Sequence, residues 1–263
     1  MLKTSLTILL TFCVFTLNAQ KVFFSANNNE VNRVVQSQQP TLITAGLIQN
    51  LDANLTNSYG GSGNIWTDIV GGNNGTIFGG TFTTTGGVSF FNFPNAGVAS
   101  YVSAPLTKST SMTFSIWAKS NSVPVPNAML FNTGASGTGP DFFFAGTGFY
   151  WNVWDGFNTP FLDVNNVVLN HTTIVTNTNW HNYTVTVDAT NSNTKFYFDG
   201  VWKGTAAYRS PATSNVLYIG GAGLNDNSWN FLGGISCFHT YNRALSAAEV
   251  NSNFKALKSR FGF

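Results

Sequence analysis

One stretch constrains the fold of this chain more than any other. Beginning at Asn182 it reads Asn-Tyr-Thr-Val-Thr-Val-Asp, then a polar turn, then Thr-Lys-Phe-Tyr-Phe, Asp199-Gly200 and Val-Trp-Lys-Gly. Tyr183, Val185 and Val187 alternate with polar residues, the period of a strand with one face in a core and the other toward water. Asp-Gly between two β-rich runs marks a tight hairpin, because a type I′ turn needs φ > 0 at both central residues. From about residue 45 onward similar runs recur at roughly 8–12-residue spacing between Gly, Asn, Ser and Thr clusters, as in an all-β sandwich. Strands are expected at 87–93, 99–104, 112–119, 128–132, 142–145, 148–154, 171–176, 215–220 and 231–241. In the 112–119 run, Phe114, Ile116 and Ala118 share one face, and Thr113, Ser115, Trp117 and Lys119 share the other.

One helix stands out. Ser246-Ala247-Ala248-Glu249 is a capping box, followed by Val250, Phe254 and Leu257 on one stripe. Lys255, Lys258 and Arg260 sit where the helix dipole favours cations, and Gly262 follows. A helix over 247–259, packed on the sandwich, is expected.

Composition narrows the function. Of the 263 residues only 8% are charged, with a net charge of +2, so no basic stripe exists to hold nucleic acid. Twenty-four Phe and seven Trp suit a large core and not a disordered chain. Residues 1–19 read as a secretory signal peptide, with Lys3 ahead of an apolar stretch and cleavage expected near Ala19. The mature protein is therefore expected to be secreted or at the cell surface, with no membrane span. Cys13 leaves with the signal, so Cys237 stands alone as a small buried hydrophobe and no intramolecular disulfide is available. Residues 20–45 have no clear period and read as an irregular leader or linker, which makes 46–263 the domain.

Four blocks in this order resemble a known family. They are the stretch from Gly46-Leu47-Ile48-Gln49-Asn50-Leu51-Asp52-Ala53 through Trp66-Thr67-Asp68 and Asn73-Asn74-Gly75-Thr76, then Phe114-Ser115-Ile116-Trp117-Ala118, Trp180-His181-Asn182-Tyr183 with its hairpin, and the ending Phe231-Leu232-Gly233-Gly234-Ile235 with Tyr241-Asn242-Arg243-Ala244-Leu245-Ser246. Together they resemble laminin G-like domains of the concanavalin A-like lectin/glucanase superfamily. The resemblance implies an all-β, two-sheet antiparallel jelly-roll sandwich with a short C-terminal helix. It leaves open whether such a domain binds sugars, binds proteins, hydrolyses glycans or spaces other domains.

Glycoside hydrolysis needs two carboxyl groups flanking one bond. Glucanases of the resembled superfamily carry them as E-x-D-x-E. This chain has ten carboxylates, only two of them Glu, and no such motif; the pair nearest in sequence is Asp155 and Asp163. A structural Ca²⁺ is implied by the resemblance, with Asp52, Asn54 and Asp68 as candidate oxygen ligands and Asp226 with Asn227 as a second cluster. The alternative for Asp52 and Asp68 is a turn carboxylate accepting backbone N–H bonds. Sugar binding rests on Phe149-Tyr150-Trp151-Asn152-Val153-Trp154, where alternation puts Tyr150, Asn152 and Trp154 on one face, with Trp229 as a loop candidate. These aromatics could equally fill the sandwich or cover its rim. His171, His181 and His239 have no metal-ligand spacing and read as structural. The expected function is a non-catalytic module binding a polysaccharide, a cell-surface glycan or a protein partner. The alternative is a structural, adhesive component of a surface or phage-tail appendage.

Overall fold

The computed structural model describes residues 20–27, 30–37, 40–93, 100–123, 127–134, 140–152, 159–223 and 229–263. The signal segment 1–19 lies outside them. The chain divides into residues 1–40 and 41–263. In the first, β1 (Gln20–Asn27) and β2 (Glu30–Ser37) pair antiparallel, with Val22 opposite Val35 and Phe24 opposite Arg33. Residues 20–27 and 30–37 thus pair as strands where an irregular leader is expected, while 40–45 carry no strand. Neither strand alternates cleanly and no glycine marks the turn, so the pattern hid the pairing. The boundary also moves: Ile43 is tied to the second unit, its N–H donating to Asn253 Oδ1 at 2.8 Å and its carbonyl accepting from the Tyr241 hydroxyl at 3.0 Å.

The second unit continues with β3 (Leu47–Asp52), β4 (Ile65–Trp66), β5 (Gly75–Phe78), β6 (Thr81–Thr85), β7 (Val88–Phe93), β8 (Tyr101–Pro105), β9 (Met112–Ser120), β10 (Ala128–Asn132) and β11 (Asp141–Ala145). After β12 (Gly148–Asn152) comes a short helix α1 (His171–Ile174), then β13 (His181–Asp188), β14 (Asn193–Phe198), β15 (Val201–Ala207), β16 (Val216–Ile219), β17 (Gly233–Tyr241) and α2 (Ala247–Leu257). A seven-stranded sheet runs β12-β11-β10-β16-β8-β5-β4, and an eight-stranded sheet runs β15-β14-β13-β9-β17-β7-β6, with β3 beside β17. All strand pairings are antiparallel. The expected two-sheet sandwich is what the chain forms.

The core lies between the sheets. Phe114 of β9 meets Phe131 of β10 at 4.9 Å and Trp151 of β12 at 6.4 Å between ring centroids. Each such ring, fully removed from water, contributes about 1.5–3 kcal/mol. The Asp199-Gly200 hairpin has φ of 51° and 73°, as type I′ requires, and Asp199 Oδ1 also accepts the Asn182 N–H.

Two expectations are corrected here. A strand is expected over residues 171–176. They begin instead with α1, because Asn170 Oδ1 accepts the Thr172 N–H at 2.9 Å and caps a helical turn. The polar face of β13 is expected to face water, yet Asn182, Thr184 and Thr186 are each only 2% exposed. Asn182 Nδ2 and the Thr184 hydroxyl both donate to Ser115 Oγ, at 3.0 and 2.9 Å. This face is covered by the C-terminal helix. Its capping box is formed as expected: Ser246 Oγ accepts the Glu249 N–H and Glu249 accepts the Ser246 N–H. Val250 packs with Tyr197 and Tyr241, and Phe254 and Leu257 pack in the cluster around Trp117. A 3-10 turn, Lys258–Phe261, completes the cover by stacking Phe261 on Trp117 at 4.0 Å.

Candidate functional site

The remaining outer face belongs to the seven-stranded sheet. On β11 and β12, Phe142, Phe144, Phe149 and Trp151 fill the core. Alternation therefore turns Phe143 and Tyr150, which stand opposite each other in register, to the outside. Their rings stack at 5.3 Å and 22°. Trp229 meets the same Phe143 edge to face, at 5.5 Å and 89°. Met129 and Ala222, each 3% exposed, form the buried floor, while Tyr150 and Trp229 are half-buried.

The backbone fixes this cluster. Met129 N–H donates to the Trp229 carbonyl at 2.8 Å, and Met129 bridges Asn230 in parallel, so the loop before β17 is clipped to β10. Gly148 makes room for the Tyr150 ring: a Cβ there would lie 2.7 Å from it. The arrangement offers two aromatic surfaces meeting at an angle over an apolar floor, suited to the C–H faces of a sugar ring.

The structure thus brings Tyr150 and Trp229 together. Asn152 ends β12 opposite Asp141, but its side chain and all of Trp154 lie outside the described residues. Sequence reasoning missed Phe143, which holds the cluster together. In Phe142-Phe143-Phe144 three consecutive rings cannot all face one core, and that is the signal that could have found it.

The calcium candidates do not fit a metal. Asp68 accepts four backbone N–H groups, from Asn50 and Val70 on Oδ1 and from Gly71 and Asn73 on Oδ2, at 2.8–3.0 Å. Both oxygens of Asp52 take the Arg260 guanidinium, at 2.8 and 2.7 Å, and Oδ1 also accepts the Asn54 N–H. The Asn54 side chain bridges Gly87 and Ser89. The oxygens expected to face Ca²⁺ are occupied by hydrogen-bond donors, and these are structural groups. Asp226 and Asn227 lie outside the described residues. Among the described residues, no group of three or more His, Cys, Asp or Glu side chains converges to hold a metal ion.

Other carboxylates are also committed. Asp163 accepts the N–H groups of Asn165 and Val167, and Asp188 those of Thr190 and Asn191. Backbone bonds, from Val167 foremost, hold Asp163 below the usual carboxylate range. Asp155, its neighbour in sequence, is not among the described residues. His181 has one ring nitrogen on Asp199 at 2.8 Å and the other on Asn177 at 3.1 Å. Burial lowers His171 and holds His239 down to about 4. Cys237 is buried and free, its thiol raised by burial.

A cleft of about 430 Å³ opens on the eight-stranded sheet beside Lys119, Asn177, Trp180 and Phe261. Phe263 at its edge is 49% exposed, but the other aromatic rings are already packed. Trp180 and Phe261 are 8% and 6% exposed, and the Lys119 ammonium sits 4.3 Å from the Phe90 ring. The cluster around Phe143 instead has two half-buried aromatics, Tyr150 and Trp229, side by side on the sheet.

Comparison with known proteins follows the same fold. The sequence finds no match among curated proteins. Residues 93–251 match the Laminin_G_3 family model, described as Concanavalin A-like lectin/glucanases superfamily. Among solved structures, domain 4 of AbnA, a GH43 extracellular arabinanase from Geobacillus stearothermophilus in complex with arabinotriose, is 17% identical with a TM-score of 0.57, covering 80% of this chain and 98% of that one. Trypanosoma rangeli sialidase in complex with the inhibitor DANA is 15% identical with a TM-score of 0.56, covering 83% of this chain. The chain spans only 34% of that sialidase. These likenesses are to the fold. With the family model matched over more than half of its length, the chain belongs to the concanavalin A-like lectin/glucanases superfamily.

Proposed function

We propose that this protein is a non-catalytic glycan-binding module, acting outside the cell, that holds its ligand on the outer face of the seven-stranded sheet. The observation that carries this reading is the Tyr150–Phe143–Trp229 cluster, two half-buried aromatics around one ring on an otherwise apolar floor. The arabinanase domain described with arabinotriose bound shares the fold and gives the reading a precedent in kind. Commitment of Asp52, Asp68, Asp163, Asp188, Asp199 and Glu249 to backbone or cationic partners supports binding over hydrolysis.

The test is retention of the mature protein on polysaccharide affinity gels or a glycan array. Trp229→Ala and Tyr150→Ala should each weaken retention about ten-fold or more, the effect of losing a hot-spot aromatic. If both variants bind like the parent, the face is wrong. A stable oligomer that retains no glycan would favour the scaffold alternative.

A further inference from the structure

The same sheet face carries a second aromatic group. On β8 and β16, Val102, Ala104, Leu217 and Ile219 are buried, so Tyr101 and Tyr218 alternate to the outside. Phe78 of β5 stands opposite Tyr101 in register and is 42% exposed. The three rings touch in succession, with Phe78–Tyr101 centroids 4.9 Å apart and Tyr101–Tyr218 5.6 Å apart, the latter edge to face. Neither tyrosine hydroxyl makes a hydrogen bond among the described residues, and both rings are half-buried. Gly223, with φ +70°, lies flat against the Tyr218 ring where any Cβ would collide with it. Each of the two aromatic groups thus has a tyrosine seated on a glycine.

A polar row runs between the strands that carry them. Register places Asp141 opposite Asn132, Asn132 opposite Tyr218, Tyr218 opposite Ser103 and Ser103 opposite Thr76. Asn132 is fully buried and its Nδ2 has no hydrogen-bond partner. The one charged side chain in this row, Asp141, is also fully buried. From β12 to β5 the face spans six strands, roughly 24 Å at about 4.8 Å per strand.

We infer that Phe78, Tyr101 and Tyr218 form a second binding station, and that the ligand is an extended, neutral oligosaccharide chain lying across the strands from one aromatic group to the other. The span is too long for one sugar ring. Aromatic planes beside the half-buried hydroxyls of Ser103 and Thr76, with no exposed charge in the row, suit uncharged sugars. This inference rests on the glycan-binding reading of the Tyr150 cluster and extends it.

The experiment is titration calorimetry on the mature protein with linear neutral oligosaccharides, cello- and arabino-oligosaccharides from disaccharide to hexasaccharide, and with oligogalacturonides as the acidic arm. Affinity should rise with chain length for the neutral series and not for the acidic one. Tyr218→Ala and Phe78→Ala should leave the shortest bound oligosaccharide unaffected and remove the gain with length, about ten-fold at the longest. Phe78 is exposed, so its truncation keeps the variant folded if Tyr218→Ala does not fold. Length-independent affinity, an unchanged long-chain affinity in Phe78→Ala, or equal binding of the acidic series overturns the second station while leaving the first intact. No binding by any oligosaccharide, in parent or variants, overturns the glycan reading and this inference with it.

Discussion

The two outer faces of the sandwich are made from the same kind of strand and end in different states. On the eight-stranded sheet Trp117 is 1% exposed, because Phe254 and Phe261 stack on it at 5.5 and 4.0 Å. On the seven-stranded sheet, Tyr150, Trp229, Tyr101 and Tyr218 are half-buried and Phe78 is open, and their ring partners are one another and Phe143. Among the described residues, a helix covers one aromatic face and no helix covers the other, which separates a surface closed by the protein itself from one with aromatics still half-exposed.

The largest expected effect tests that separation. Trp117→Ala should cost about 3–5 kcal/mol of stability in urea unfolding, since it empties the space under the helix. Tyr218→Ala should cost far less and act on binding. If the two variants lose equal stability, the seven-stranded face is a second core and the comparison fails.

A smaller effect comes from pH. His239 sits on the covered face, opposite Ser115 of β9, where burial pushes its imidazole down to about 4. The unfolded chain takes up that proton near its ordinary value of about 6.5. Stability is therefore complete above about pH 6.5 and falls as pH drops toward 4, by at most about 3 kcal/mol. His239→Gln should flatten the stability profile across this window. Retention on glycan, measured per folded molecule, should not follow it. A parent profile that is already flat would mean the covered face admits the proton.

The smallest effect concerns how the cover is anchored. Ser246→Ala should cost about 1 kcal/mol through the lost cap. Glu249, held down to about 2 first by Arg243 and then by Ser246, should hold that anchor until strongly acidic pH. Thermal unfolding of Ser246→Ala that matches the parent would show the helix held by packing alone.

Much of the fold was legible because period two and turn chemistry are local. Tyr183, Val185 and Val187 declare a core face, and Asp199-Gly200 declares its turn. What covers the opposite face is not local. Asn182 and Thr184 look the same in sequence whether water or a helix lies over them. Asp52 looked like a loop ligand because its partner, Arg260, is 208 residues away. Asp68 could be weighed but not decided, since its donors are backbone N–H groups whose direction only the folded turn sets. At the candidate face Tyr150 and Trp229 were visible as aromatics beside amides. Phe143 was hidden in a run of three, and Tyr101 and Tyr218 by their distance in sequence.

The position of β17 has a consequence for how the chain is made. It lies between β9 on one side and β7 and β3 on the other, yet it comes last in sequence among the described strands. Before β17 emerges the eight-stranded sheet is in three unjoined parts, β15-β14-β13-β9, β7-β6 and β3 alone, each with a bare edge where β17 belongs. Those edges are free to pair with other chains until residues 233–241 emerge. The sandwich therefore closes only when β17 joins these parts, and a chain halted before β17 holds separate open-edged pieces and not a smaller domain.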